Sequence, residues 1–369
     1  MKKLSILLTA ATLLLFACQK DPAPTADKPD DPKLAAIEAR LARALAEADA
    51  LLADKDEGAD DRANVTLPAG SNNGLAAAIL AAGPGGKVTV ACGNHYESGT
   101  VEITFPVKIV GQSGAVFHWS GLDPADPEVY LTDPAIYAIN TSNVTIKGLE
   151  IRSVSGGAST CFLLENVPNA KIQNNEIYEF QFPIMCVGVD NAKISGNYLD
   201  GPGFGGGIFV VSGVSVLIAD NEAFAFDFPI FPSDGPGDVV RNKVHQAFFG
   251  ISLCDLDVEM PDGRVIDAPV STNNYLFAKN ESYDNAWGYI VIDGSFDNVL
   301  FKNKAYNNST YDIELVGVTE RFGPPALPTS SNTTVVSNGN LNNVLIKDCA
   351  PGSVIIGGTL VDTNADPCF

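Results

Sequence analysis

From Asn143 to Cys349 the chain repeats one short pattern: an aliphatic residue, two variable positions, Asn, one variable position, then a small or aliphatic residue. It stands at Ile172 to Ile177, Ile194 to Leu199, Ile218 to Ala223, Val239 to Val244, Phe277 to Ser282 and Leu300 to Ala305. The repeated residues Asn175, Asn197, Asn221, Asn242, Asn280 and Asn303 are 22, 24, 21, 38 and 23 positions apart. A period of that size is one turn of a solenoid, and the single long step is a turn carrying an insertion. Each period holds a second apolar segment, in which Ile184, Ile208, Ile230, Ile251, Tyr289 and Ile313 take equivalent places. Short apolar segments without helical spacing predict a coil of parallel strands, with inward aliphatics stacked about 4.8 Å apart. Each buried Ile or Val then contributes roughly 1.5 to 3 kcal/mol. The repeated Asn is expected at a left-handed bend, bonding its neighbours above and below at about 1 kcal/mol net per bond.

Other patterns flank the repeat. Between Lys33 and Asp54, residues Leu34, Ile37, Leu41, Leu45, Ala48 and Leu52 form one stripe at helical period. That helix either docks on the solenoid or stands alone as a stalk. Because Leu34, Ile37, Leu41, Ala44, Ala48 and Leu51 also fit a heptad, a seam between copies is a third reading. Ser71-Asn72-Asn73 is suited to cap a short helix over Gly74 to Ala82 that would shield the first rung. Lys87 to Gly93, Tyr96 and Thr100 to Gly111 then alternate as strands. Three stretches leave the pattern: Ser120 to Pro134, Asp255 to Asn274 and Gly317 to Asn332. Within the second, Val258 to Asp267 reads as a hairpin turning at Asp262-Gly263.

The Asn-bearing repeat and the strands that lead into it resemble the right-handed parallel β-helix repeat family, the pectate-lyase-like fold, over about Val65 to Cys349. The resemblance implies an all-β chain: a single-stranded right-handed parallel β-helix with a short N-terminal capping helix and a preceding stalk helix. For function it implies less, because such solenoids serve as polysaccharide lyases, hydrolases, epimerases, adhesins and phage spikes.

The N-terminus changes where such a domain is expected. Lys2 and Lys3 precede an apolar run from Leu4 to Ala17, too short to span a membrane and suited to a signal peptide. Leu15-Phe16-Ala17-Cys18 resembles a bacterial lipoprotein cleavage site with Cys18 acylated, although Phe16 replaces the usual small residue. An ordinary secretory signal is the competing reading. Gln19-Lys20-Asp21 is similar to the surface-export tag of some Gram-negative lipoproteins. The expected organisation is a signal peptide over 1–17, a lipidated Pro/Asp-rich tether over 18–32 and the amphipathic helix over 33–54. An acidic linker over 55–64 and the β-helix over 65–369 follow. Several acyl chains on one Cys would hold the protein to the outer membrane, facing outward, where one chain alone is marginal.

The formal charge is −21, and removal of Lys2 and Lys3 leaves 21 basic against 44 acidic residues. Such a surface disfavours nucleic acid and anionic polymers unless cations intervene, and it suits neutral glycans or Ca²⁺ as a bridge. Six Cys follow Cys18, of which Cys349 and Cys368 could staple the last rung to the tail. Cys186 falls at an inward strand position and reads as a buried thiol. With only three His in the chain, no His-based metal centre is expected.

Aligning the second segments puts Met185, Phe209, Phe231, Ser252, Ile290 and Glu314 on their outward face. An apolar stripe of that kind needs cover, from the Lys33 to Asp54 helix, another subunit or a ligand. The Asp, Lys and Arg sets, or paired Asp with Gly-His-Gly, that the resemblance would place there are absent. Asp234, Asp255 and Asp293 each lie four residues after the aligned position, so their side chains would stack about 5 Å apart. They read as turn residues, as Ca²⁺ ligands, or as the carboxylates of a retaining glycosidase. Phe209 and Phe231 read as stacked core rings or as an exposed sugar platform. Arg241, Lys243 and His245 read as a base cluster or as part of a solvated basic stripe.

The expectation is a membrane-anchored surface lipoprotein that binds or processes glycans, as a polysaccharide lyase or glycoside hydrolase if catalytic. Its alternative is a structural or adhesive module that meets a surface protein through the apolar strand face.

Overall fold

The computed structural model describes residues 32–53, 63–121, 134–154, 158–253, 258–259, 265–266, 273–292, 295–316, 331–336, 345–350, 352–356 and 359–360. The chain divides into two compact units, residues 1–40 and 41–369. In the larger unit nine turns supply three short strands each among the described residues, as in Lys171–Gln173, Glu176–Tyr178 and Phe180–Val187. Each strand pairs in parallel with its counterpart one turn on, which builds sheets of twelve, nine and eleven strands from the described residues. The architecture is a right-handed parallel β-helix of about 10 turns.

The alternation of side chains explains the stack. Ile172, Ile194, Ile218, Val239, Phe277 and Leu300 are successive partners in the twelve-stranded sheet. Ile184, Ile208, Ile230, Ile251, Tyr289 and Ile313 are successive partners in the eleven-stranded sheet. Both columns are buried in one continuous core, in the register the repeat predicts. The long step is an insertion whose Val258–Glu259 and Val265–Ile266 pair as an antiparallel hairpin.

The repeated Asn forms a buried ladder at the corner between the twelve- and nine-stranded sheets. In Asn197, Nδ2 donates to Asn221 Oδ1 at 2.9 Å and to the Ile172 carbonyl at 2.9 Å, and the backbone N–H donates to the same Asn221 Oδ1 at 2.9 Å. The same arrangement recurs at Asn175, Asn221, Asn242 and Asn280. The left-handed bend falls one residue earlier than expected, at Asn174, Gly196, Asp220, Arg241, Lys279 and Lys302, with φ between 52° and 66°. The repeated Asn is therefore bound by hydrogen bonding, and its predecessor absorbs the turn.

The capping helix α2, Leu75–Ala82, covers the first rung with Leu75, Ala78, Ile79 and Ala82. Its N-terminus is not capped by Ser71, whose hydroxyl bonds His95 Nδ1 at 2.8 Å. Instead the buried Glu97 carboxylate, from the strand Gly93–Ser98, accepts from the Gly74 and Leu75 N–H groups at 2.9 Å each. A carboxylate there also complements the helix dipole.

The first helix, α1, spans Pro32–Ala53. Within the larger unit its residues 41–53 dock on the twelve-stranded sheet. Glu47 pairs with Lys193, Asp49 with Arg241 at 2.6 Å, and the Leu51 carbonyl accepts from Gln173 Nε2 at 3.4 Å. Residues 41–53 are thus a docked segment, on a different sheet from the apolar stripe they were a candidate to cover. That stripe, Met185, Phe209, Phe231 and Ile290, is nonetheless buried within the chain itself and needs no second subunit or ligand as its cover.

Candidate functional site

The outward side of the eleven-stranded sheet holds a second cluster of buried apolar residues, including Leu163, Met185, Val211, Phe231 and Ile292. Phe209 and Phe231 lie on adjacent strands, so their rings stack at 4.8 Å with 10° between planes. Gly206 makes room for this, since a Cβ there would meet the Phe209 ring at 1.6 Å. The two rings are 4% and 1% exposed, which makes them a buried stack rather than an open sugar platform.

Asp234 stands in a row of left-handed corner residues, Asn140, Asn166, Gly188, Ser212 and Asp234, with φ from 48° to 61°. Asn166 Nδ2 donates to Asn140 Oδ1 at 3.1 Å, and the Ser212 hydroxyl donates to Asp234 Oδ2 at 2.8 Å. Burial raises the Asp234 pKa, and the Ser212 bonds only partly offset it. Its geometry is that of the turn residue. Asp255 and Asp293 lie outside the described residues, as does Cys368. Among the described residues no group of three or more His, Cys, Asp or Glu side chains could hold a metal ion. Cys349 is disulfide-bonded, with its partner outside the described residues. Cys186 is a buried thiol, pushed up to about 12 by burial.

Arg241, Lys243 and His245 do not act together. Arg241 bridges Asp220 at 2.7 Å and Asp49 at 2.6 Å beside α1. Lys243 lies between Glu222 and Glu281 in the nine-stranded sheet, and His245 packs between Phe224 and Tyr283 at 4.9 Å from each.

Polar chemistry enters the eleven-stranded face at its two ends. Toward the N-terminus the Tyr137 hydroxyl donates to the buried Glu165 carboxylate. Toward the C-terminus Trp287 Nε1 donates to Glu314 Oε2 at 2.7 Å, and Asn308 Nδ2 donates to Asp312 Oδ1 at 2.7 Å. Asp312 and Glu314 are two residues apart on the strand Tyr311–Leu315, so both side chains leave the same face. Beside them Phe248, 49% exposed, meets the half-buried Trp287 indole at 5.1 Å and the Phe249 ring at 4.6 Å. Asp312 and Glu314 are 5% and 2% exposed, so what this patch presents to solvent is aromatic surface, of the kind that packs sugar C–H groups. Glu314 is the one acid among the aligned outward neighbours Met185, Phe209, Phe231, Ser252, Ile290 and Glu314, a signal the sequence reading did not weigh. Trp287 opens the strand Trp287–Val291 in register with Phe249 and Tyr311, an aromatic column at the strand starts that the sequence reading passed over, and Phe248 lies just before it.

Residues 134–269 match the family described as right handed beta helix region. No curated protein matches the sequence significantly. Among solved structures, the A-module of the mannuronan C-5 epimerase AlgE4 of Azotobacter vinelandii is similar at 16% identity and a TM-score of 0.51, over 78% of this chain and 91% of that one. The alginate lyase of Paenibacillus sp. FPU-7 is similar at 12% identity and a TM-score of 0.42, over 81% of this chain and 98% of that one. The exopolygalacturonase of Thermotoga maritima is similar at 14% identity and a TM-score of 0.44, over 86% and 94%. At these identities the likeness is one of fold.

Proposed function

We propose that this chain is a lipid-anchored, surface-facing β-helix protein that binds or processes glycans at the C-terminal end of its eleven-stranded face. The observation that carries the reading is the Trp287–Glu314 hydrogen bond at 2.7 Å beside the exposed Phe248 ring. An indole held by a buried carboxylate is fixed in orientation, so Glu314 positions the Trp287 ring beside the exposed Phe248 surface. The fold shared with an epimerase that acts on mannuronan supports a glycan ligand. The adhesive alternative loses the surface it required, since the apolar strand face is buried inside the chain. The anchor rests on Leu15 to Cys18 in sequence, and Cys18→Ser is expected to release the protein from the membrane fraction. Unchanged membrane retention sinks the lipid anchor.

The deciding experiment incubates the purified chain with neutral and uronate polysaccharides, scoring reducing ends, unsaturated products and retention. Turnover that Glu314→Gln abolishes makes this an enzyme; retention that Phe248→Ala weakens, without turnover, makes it a binding protein. Neither turnover nor retention on any glycan overturns the proposal.

A further inference from the structure

The nine-stranded sheet carries a different feature on its outward face, independent of the site above. Tyr178, Tyr198, Phe224, His245, Tyr283 and Tyr306 form one continuous file of rings, with successive centroids 5.9, 5.5, 4.9, 4.9 and 5.1 Å apart. Three residues after each repeated Asn the chain places one member of this column, except at Asp200, where Tyr198 from the neighbouring outward position fills the gap. Toward the N-terminus Arg152 lies over the Tyr178 ring at 4.1 Å, and His118 stacks on Tyr96 at 5.2 Å. His118 and Arg152 are register partners, so the file crosses all nine strands, about 38 Å at the spacing of paired strands. Both ends are open to solvent, Tyr96 at 48% and Tyr306 at 39% exposure.

The flank of this file decides what could lie on it. Glu150, Glu176, Glu222 and Glu281 stand in the adjacent outward column, joined by Lys243 and Lys304. Tyr178 donates its hydroxyl to Glu176 at 2.9 Å and Tyr306 to Glu281 at 3.0 Å. Burial and those carboxylates push both phenols up to about 12, so they stay neutral. Arg152 Nε is held by Glu150 at 2.5 Å and Lys304 faces Glu281 at 3.7 Å, which ties up cations an acidic ligand would need. What remains is a ridge of prepositioned ring edges lined with hydrogen-bond acceptors. A ligand rich in hydroxyl donors and C–H surface, extended and uncharged, is its complement; a polyanion is repelled.

We infer that the outward face of the nine-stranded sheet is a second, linear binding track for an extended neutral polysaccharide. The mutual stacking of the rings fixes their rotamers before the ligand arrives, so little ordering cost falls on binding. The charge distribution selects neutral chains over uronate polymers, and the length of the file makes affinity grow with chain length.

The test is affinity electrophoresis of the purified full chain carrying Phe248→Ala, which removes the exposed ring of the site on the eleven-stranded face, through gels containing mixed-linkage β-glucan, galactomannan or arabinoxylan, with alginate and polygalacturonate in parallel. Retardation is expected in at least one neutral gel, with none in the uronate gels. Tyr178→Ala combined with Tyr283→Ala is expected to weaken it roughly tenfold, while Glu314→Gln leaves it in place, which separates this track from the site on the eleven-stranded face. If the double Ala variant loses its thermal transition, Tyr178→Phe with Tyr283→Phe keeps the rings and removes two hydroxyls, with a roughly threefold loss expected. Migration unaffected by every neutral polysaccharide, retardation that the foldable stripe variant leaves unchanged, or equal retardation by uronates overturns the inference and leaves the file a structural stack.

Discussion

Asn221 is a residue whose side chain belongs to three turns. Its Nδ2 donates to the Ile194 carbonyl and to Asn242 Oδ1, at 2.9 Å each, and its Oδ1 accepts the Asn197 backbone N–H and Nδ2, also at 2.9 Å. Asn is the residue the ladder selects, because one short side chain must supply both a two-hydrogen donor and a carbonyl acceptor. Asn221→Ala leaves an Asn197 backbone N–H and the Ile194 carbonyl without these partners in a buried corner. The expected loss is about 2 to 4 kcal/mol, read as a lower urea midpoint at unchanged slope. The same change at Asn303, which is only partly buried, should cost less, and equal losses would show that burial does not set the effect. This chemistry is why the Asn was legible in sequence. The residues that carry the left-handed bend were not, since Asn174, Gly196, Asp220, Arg241, Lys279 and Lys302 share no chemical type. Except at Gly196, each carries a modest conformational cost that the ladder on the next residue offsets.

Elements were legible where one face of a segment had to be apolar, and illegible where their ends met distant partners. α2 was visible as Ala, Ile and Leu after a turn, yet its cap comes from Glu97, 23 residues beyond Gly74. Glu97→Ala strips the buried Leu75 N–H and the part-buried Gly74 N–H of their acceptor and is expected to cost about 2 to 3 kcal/mol, with the first rung exchanging amide hydrogens faster. Glu97→Gln keeps the acceptor and should recover most of that loss; equal destabilisation by both would show that charge, not acceptance, holds the lid. The docking of residues 41–53 follows the same logic. The apolar stripe announced a packed helix, but the choice of sheet is set by Gln173, Lys193 and Arg241, single side chains on separate turns. The aromatic file lay within the repeat, one position beyond the part that defines it, and became meaningful only when the register put its members side by side.

At the scale of the whole molecule, the surplus of acid shapes the response to pH. Glu97, Asp200, Asp234 and Asp348 all have pKa values raised above 4.5 or 3.8 by burial, against smaller opposing bonds or charges. For an acid whose folded pKa is raised, the folded state binds protons more readily than the unfolded chain. The associated stability is fully present below the unfolded values, near pH 4, and is lost as pH rises through the raised folded values. Self-repulsion at a formal charge of −21 acts in the same direction. The chain should therefore gain stability as pH falls from 7 toward 4, read as a rising melting midpoint, the reverse of proteins held by ionised carboxylates. Asp234→Asn retains an acceptor for the Ser212 hydroxyl and removes one buried charge, so it should raise the midpoint at pH 7 and flatten the profile. A midpoint that falls steadily on acidification from pH 7 to 4 would show that paired surface carboxylates outweigh the buried ones, and that the acidity of this solenoid serves its surface rather than its core.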